Sequence, residues 1–238
     1  MGSSSREVSR LAHAAQWSRG REVFAGRFQI EGEAGVGGMS IVYRALDQTH
    51  GETVALKILR WTDPSALRRF NAEVEALEKL QHPGIVRYIA HGYGENRQPY
   101  LAMEWVDGET LSARLQRRPL DVREVLRLGL RVADALGSAH ALGVVHRDIK
   151  PSNVLLPGGD IEHAKIADFG LARAIAARSG SNRTGTGMII GTPGYMAPEQ
   201  AHGERDLDGR ADLFSLGCLL FRCLTDTEAF AGSRVLTA

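Results

Sequence analysis

Within eight consecutive positions, His146-Arg147-Asp148-Ile149-Lys150-Pro151-Ser152-Asn153 brings together a carboxylate, an ammonium and a carboxamide. In one short loop these can act on a phosphoryl group: Asp148 accepts a hydroxyl proton, Lys150 steadies the transferred group, and the Asn153 amide oxygen binds Mg²⁺. The apolar Val144-Val145 before and Val154-Leu155-Leu156 after it argue against a plain polar turn. Asp168-Phe169-Gly170 directly follows the strand-like AKIA. A carboxylate at a strand end, beside a flexible glycine, suits a hard cation, although the tripeptide alone also arises by chance. Lys57 ends Val54-Ala55-Leu56-Lys57. An ammonium in an apolar strand requires anionic company, which Glu73 on the next helix and a phosphate would supply; taken singly, Lys57 reads as a solvated surface lysine. Gly35-Val36-Gly37-Gly38-Met39-Ser40-Ile41-Val42 can bring backbone N–H groups close to phosphate oxygens, and reads equally as a hairpin turn. Gly191-Thr192-Pro193-Gly194-Tyr195-Met196-Ala197-Pro198-Glu199 forces no chemistry and reads as a rigid turn.

These groups need elements to hold them. FQIEGEA, SIVYRALD and ETVALKIL alternate apolar and polar residues and are rich in β-branched types, which predicts an antiparallel meander from Phe28 to Leu59. A helix follows, with Asp63 as cap, Pro64 in its first turn and Phe70, Val74 and Leu77 as a buried stripe. IVRYIAHG and YLAMEWV read as two more strands, the second ending in a turn at Asp107–Glu109. Thereafter the pattern is mainly helical. Asp121 and Glu124 form a capping box for a helix whose Val125, Leu128, Val132, Leu136 and Ala139 share one face to about Leu142. Ser179–Gly187 reads as mobile. The last helix, about Gly209–Leu224, is apolar nearly all round and reads as buried. The inferred class is α+β: a small β-rich lobe with one helix, then a larger helical lobe, with the seam near Glu104–Asp107.

Composition narrows the function classes. Net charge is +1, from 29 basic against 28 acidic side chains, so nothing suggests a nucleic-acid or anionic-membrane surface. Cys218 and Cys223 lie in an apolar run with neither a disulfide framework nor CxxC spacing, and read as buried hydrophobes in a reducing compartment. No apolar stretch reaches the roughly 18 residues of a membrane span. The N-terminus lacks a secretory h-region, and Arg6 breaks the myristoylation pattern. The expected location is cytoplasmic.

The five motifs occur in one order, each in matching context, and together the chain from about Phe28 onward resembles the eukaryotic-type protein kinases. Lys150 in HRDIKPSN and the GTPGYMAPEQ segment resemble the bacterial serine/threonine branch. The resemblance implies a bilobal fold, with a flexible leader at 1–26, an N-lobe at 27–105 and a C-lobe at 106–238. It implies ATP and Mg²⁺ as cofactors and protein hydroxyls as acceptors. Gly35, Gly37, Gly38, Ser40 (where the family has its third glycine) and Val42 would cover the phosphates. Lys57 would hold the α- and β-phosphates and pair with Glu73. Met103 would back the adenine pocket, Glu104 to Val106 would bond adenine through the backbone, and Val42, Ala55 and Leu155 would sandwich the ring. Asp148 would be the catalytic base, Lys150 would contact the γ-phosphoryl, and Asn153 and Asp168 would hold the metal. His146 would pack on Phe169, completing with Leu77 a stack of the active arrangement. Asp212 would cap the backbone of the catalytic loop. Thr192 would contact Asp148 and Lys150. Arg147 implies control by phosphorylation, with Ser179, Ser181, Thr184 and Thr186 as candidates and Thr184 and Thr186 favoured.

The family continues through further helices beyond the point where this sequence stops. The sequence therefore reads as a C-lobe incomplete at its C-terminal end, with the last helix partly uncovered and poor stability or association in isolation. Alternatives remain: a pseudokinase or inactive ATP-binding scaffold, a small-molecule kinase of the aminoglycoside type, against which GTPGYMAPE speaks, and a structural interaction module. Partners would be protein substrates and, for autophosphorylation, a second copy.

Overall fold

The computed structural model describes residues 23–37, 40–59, 70, 74–169, 193–204 and 206–230. The chain divides into two compact units, one comprising the chain up to Thr62 with Ile89–Trp105, the other Asp63–Tyr88 with the chain from Val106.

The first unit is built on a six-stranded sheet in the order β1-β2-β3-β4-β6-β5. Its strands are β1 (Val23–Phe24), β2 (Phe28–Val36), β3 (Ser40–Asp47), β4 (Glu52–Leu59), β5 (Tyr88–Tyr93) and β6 (Pro99–Glu104). The expected meander is present as β2, β3 and β4, paired antiparallel with Phe28 opposite Asp47 and Asp47 opposite Glu52. Side chains alternate across a pleated sheet, so one face collects every second residue. Ile41, Tyr43, Ala45, Val54, Leu56, Ile58, Tyr100 and Ala102 fall on the face that forms the core with Phe24, Phe28 and Ile30. Phe24 and Phe28 meet the Tyr100 ring edge-on at 5.5 and 5.3 Å. Arg27 closes the open end of the β2–β3 ladder. Its Nε and Nη2 donate to the buried Asp47 carboxylate at 2.8 and 2.6 Å, which holds that carboxyl well below the usual range.

The expected strand from Ile85 starts later, at Tyr88. Val86 N–H donates to the Ile166 carbonyl at 2.9 Å, and Ile85 forms an isolated parallel bridge with Ile166. The glycine run is also less of a loop than expected: Gly35 and Val36 are in β2, opposite Val42 and Ile41.

The second unit contains a helical turn at residues 74–78; Phe70, Val74 and Leu77 are buried as the stripe predicted. The proposed caps Asp63 and Pro64 lie outside the described residues. A three-stranded sheet follows, β7 (Gly108–Thr110), β8 (Val154–Pro157) and β9 (Lys165–Ile166), with α1 (Leu111–Arg117) and α2 (Val122–Ala141) between β7 and β8. Asp107–Glu109 is thus not simply a turn. Gly108 pairs with Pro157, and a Cβ there would lie 2.0 Å from the Leu156 carbonyl oxygen. The glycine that reads as a turn serves a close strand approach.

α2 starts as predicted. Glu124 N–H donates to Asp121 Oδ1 at 2.8 Å, and Asp121 N–H donates back to Glu124 Oε2 at 2.9 Å. Its five expected core residues are all buried. The last described helices are α3 (Pro198–Ala201) and α4 (Gly209–Thr225). α4 is not buried all round. Its inner face holds Ala211, Asp212, Ser215, Leu216, Cys218, Leu219 and Cys223, whereas Leu213, Phe221 and Leu224 are exposed. The two cysteines are free and buried, and burial pushes the Cys223 thiol up to about 12.

Candidate active site

The loop between α2 and β8 carries the catalytic candidates, and it is held from a distance. Asp212, on the first turn of α4, is fully buried. Its Oδ2 accepts the His146 N–H at 2.8 Å and its Oδ1 accepts the Arg147 N–H at 2.7 Å. His140 Nε2 lies 2.8 Å from the same Oδ2. A carboxylate only accepts, so that nitrogen carries the proton. Asp212 therefore caps the loop backbone as expected, with His140 as a third donor. Gly209 makes room for that imidazole: a Cβ there would lie 2.5 Å from His140 Nδ1.

His146 is fully buried and its tautomer is dictated by its neighbours. Nδ1 accepts the Asp148 N–H at 3.2 Å, and Nε2 must donate to the Ala167 carbonyl at 2.8 Å. Both nitrogens are committed, so His146 is a scaffold and not an acid or base. Its ring meets Phe169 edge-on at 4.6 Å, the packing the sequence predicted.

The reactive groups project from this frame. Lys150 Nζ donates to Asp148 Oδ2 at 2.7 Å. Asn153 Nδ2 donates to the Asp148 carbonyl at 2.8 Å and to Oδ2 at 3.1 Å. Every described hydrogen bond to the Asp148 carboxylate falls on Oδ2, which leaves Oδ1 to accept from a further hydroxyl. With its Nδ2 turned to Asp148, Asn153 keeps Oδ1 as an oxygen donor. Asp168 comes beside it through the backbone, since Ala167 N–H donates to the Asn153 carbonyl at 2.9 Å. An amide oxygen and a carboxylate are hard ligands and fit Mg²⁺, which takes few protein oxygens and completes its shell with water and phosphate. Arg147 and Asp168 both adopt left-handed backbone, with φ of 67° and 65°.

In the first unit, strand register lines up the nucleotide candidates. Gly35 is opposite Val42, Val42 opposite Lys57, Lys57 opposite Leu101, and Ala55 opposite Met103. Residues opposite one another share a face, as do residues two apart. Val42, Ala55, Lys57 and Met103 therefore occupy the face away from the aromatic core. Lys57 is only 7% exposed. Gly37 N–H donates to the Ser40 carbonyl at 2.8 Å, closing the glycine hairpin. Glu104 ends β6, opposite Val54. In the second unit Val106 is half-buried, and Leu155, on β8, pairs with Thr110 and Lys165. Gly38, Glu73, Gly170, Thr184, Thr186 and Thr192 lie outside the described residues.

Sequence reasoning missed two contributors to the loop, His140 and Gln200. Gln200 Nε2 donates to the Arg147 carbonyl at 2.8 Å. Both residues lie near recognised motifs, but nothing in their spacing marks the contact.

Comparison with known proteins gives the family. The family model described as the protein kinase domain matches residues 28–237. The probable serine/threonine-protein kinase SCO3848 of Streptomyces coelicolor is 42% identical over 214 residues, 87% of this chain and 31% of that protein. The serine/threonine-protein kinase PknA of Mycobacterium tuberculosis is 40% identical over 222 residues, 90% of this chain and 50% of that protein. The chain thus spans half or less of the length of these curated relatives. Among solved structures, the Mycobacterium tuberculosis PknI kinase domain superposes with a TM-score of 0.72 at 29% identity, over 91% of this chain and 80% of that one. Rad53 1-466 in complex with AMP-PNP superposes with a TM-score of 0.70 at 30% identity, over 89% of this chain and 52% of that one. By its family match, its relatives and its bilobal α+β fold, the chain belongs to the eukaryotic-type protein kinase superfamily, in the branch of the bacterial serine/threonine kinases.

Proposed function

We propose that this chain is a serine/threonine protein kinase, transferring the γ-phosphoryl group of ATP to protein hydroxyls. The observation that carries the reading is the Asp148 carboxylate. Its backbone is pinned through His146 and Arg147, and its Oδ2 is engaged by Lys150 and Asn153. The remaining Oδ1 is available to orient an acceptor hydroxyl and take its proton as the new bond to phosphorus forms. Lys150, within reach of the same carboxylate, supplies positive charge where the transferred group gains negative charge. Mg²⁺, held by Asn153 Oδ1 and Asp168, would supply the charge that neutralises the phosphate oxygens.

The nucleotide side of the proposal rests on the sheet face of the first unit. By the family pattern Val42 and Ala55 would cover one side of the adenine and Leu155 the other, Met103 would back the pocket, and Glu104 and Val106 would bond the ring edge through the backbone. By the same pattern Lys57 would hold phosphate with Glu73 as its counter-ion, and Gly35, Gly37, Gly38 and Ser40 would cover the phosphates. The AMP-PNP in the Rad53 structure supports an adenine-nucleotide site. In this reading the N-lobe is 27–105 and the C-lobe 106–238. Protein substrates, autophosphorylation at Thr184 or Thr186 in a second copy, and a cytoplasmic location complete the reading. It is compatible with the described helices, none of which is long and apolar enough to cross a membrane.

The test is incubation of the full chain with labelled ATP and Mg²⁺, beside Asp148→Asn. The unaltered chain should label itself or a generic protein acceptor, and Asp148→Asn should lower the rate by about 10²–10⁴, the usual share of a positioned base. Equal labelling by both proteins would remove Asp148 from the mechanism. ATP binding without transfer by either would favour a scaffold.

A further inference from the structure

Gln200 sits on α3, 53 residues beyond Arg147, yet its carboxamide bridges the two segments. Nε2 donates to the Arg147 carbonyl at 2.8 Å, and Oε1 accepts the Ala197 N–H at 3.1 Å. The amide orientation follows from chemistry: a carbonyl needs a donor and an N–H needs an acceptor, so a flipped carboxamide would oppose both. Tyr195 is tied down in turn, because Ser215 Oγ on α4 lies 2.7 Å from its carbonyl. Ser215 is three residues beyond Asp212, the residue that holds the Arg147 N–H. A closed circuit results, running from α4 through Asp212 to Arg147, through Gln200 to the segment before α3, and through Ser215 back to α4.

We propose that Gln200 is a positioning residue for Asp148: it fixes the Arg147–Asp148 peptide plane and so aims the Asp148 carboxylate. Arg147 holds a left-handed φ of 67°, a conformation that non-glycine residues leave readily unless neighbours over-determine it. That φ is held on the preceding peptide, whose N–H Asp212 accepts; the peptide between Arg147 and Asp148 sets the ψ of Arg147 and the φ of Asp148, and a flip of it would swing the Asp148 side chain. His146 Nδ1 opposes that flip from the N–H side, at 3.2 Å, and Gln200 opposes it from the carbonyl side. The proposal rests on the kinase reading, in which Asp148 touches the acceptor hydroxyl.

The competing role is that Gln200 merely caps α3. A glutamate at the third helical position caps equally well, so Gln200→Glu separates the two roles: it keeps the acceptor for Ala197 and sets an oxygen against the Arg147 carbonyl. Gln200→Met removes both bonds while keeping chain length. In the full chain, both variants should lower kcat by about 10–100-fold, the effect of a small misalignment at the reacting centre. KM for ATP should stay unchanged, and Gln200→Glu should keep the thermal midpoint of the unaltered protein. Amide hydrogen exchange in peptides spanning Val144–Ile149 should accelerate in both. A wild-type kcat in Gln200→Glu overturns the proposal and leaves a helix cap. If the unaltered chain transfers no phosphoryl group, the kinase reading fails by itself. The exchange measurement then decides the clamp, and unchanged protection of Val144–Ile149 in Gln200→Glu overturns it.

Discussion

Asp148 and Lys57 are the two ionisable residues on which the kinase reading leans most, and they are held in place differently. Lys57 is placed by strand register, with Val42 on one side and Leu101 on the other. That ladder involves many backbone bonds, none of which depends on a particular side chain. Asp148 sits in an irregular loop whose backbone groups have no ladder to join. Those of His146 and Arg147 are satisfied by side chains 53 to 66 residues away, from Gln200 and Asp212, and those of Asp148 by His146 and Asn153 within the loop. A ladder tolerates substitution at most positions, whereas a loop held by a few distant polar groups fails when one is lost.

The sharpest way to break this comparison is Asp212→Ala. It strands the buried His146 N–H and the part-buried Arg147 N–H, at a cost of about 1–3 kcal/mol for a buried group. We expect a loss of several kcal/mol in chemical denaturation and the disappearance of phosphoryl transfer; a loss below about 1 kcal/mol would mean that the loop has other support. The sheet has a polar device of its own, the Arg27–Asp47 pair. Arg27→Ala should cost about 1.5–3 kcal/mol, the usual worth of hydrogen bonds to a charged group.

The same pair makes a pH prediction. Hydrogen bonds from Arg27, more than those from His50 and Thr49 N–H, hold the folded Asp47 carboxyl below its ordinary value despite burial. A depressed folded-state value contributes stability above the unfolded value, near 4, and that contribution is lost as pH falls towards the folded one. Unfolding free energy should therefore decline as pH drops below about 4, and Asp47→Asn should flatten that part of the profile. The smallest effect belongs to a site outside both regions. Asp121→Ala removes the α2 capping box and should cost about 1 kcal/mol, with kcat unchanged in the labelling assay.

What could be read in advance follows the same division. The meander, the α2 cap and the helical stripes are local or periodic, so the residues that make them are neighbours in sequence. The motif residues were recognisable by type and spacing. The clamp was only half legible. Asp212 could be assigned by resemblance, but His140 and Gln200 act through single contacts that no periodicity reports. α4 shows a further limit. Its buried face carries the polar Asp212 and Ser215 while Leu213, Phe221 and Leu224 face outward, so hydrophobic pattern alone could not identify its inner side. At Gly108 the residue type was informative but ambiguous, because a glycine marks a turn and a close strand approach alike.

The left-handed backbone at Arg147 and Asp168 has a consequence for engineering. Both are non-glycine residues in a conformation that glycine adopts without steric penalty. Replacement by glycine would relieve local strain at each, and at Asp168 it would also delete the proposed metal carboxylate. A directed-evolution campaign scored on heat tolerance alone would therefore be drawn towards an inert protein, so selection for a hardier enzyme must score turnover alongside survival.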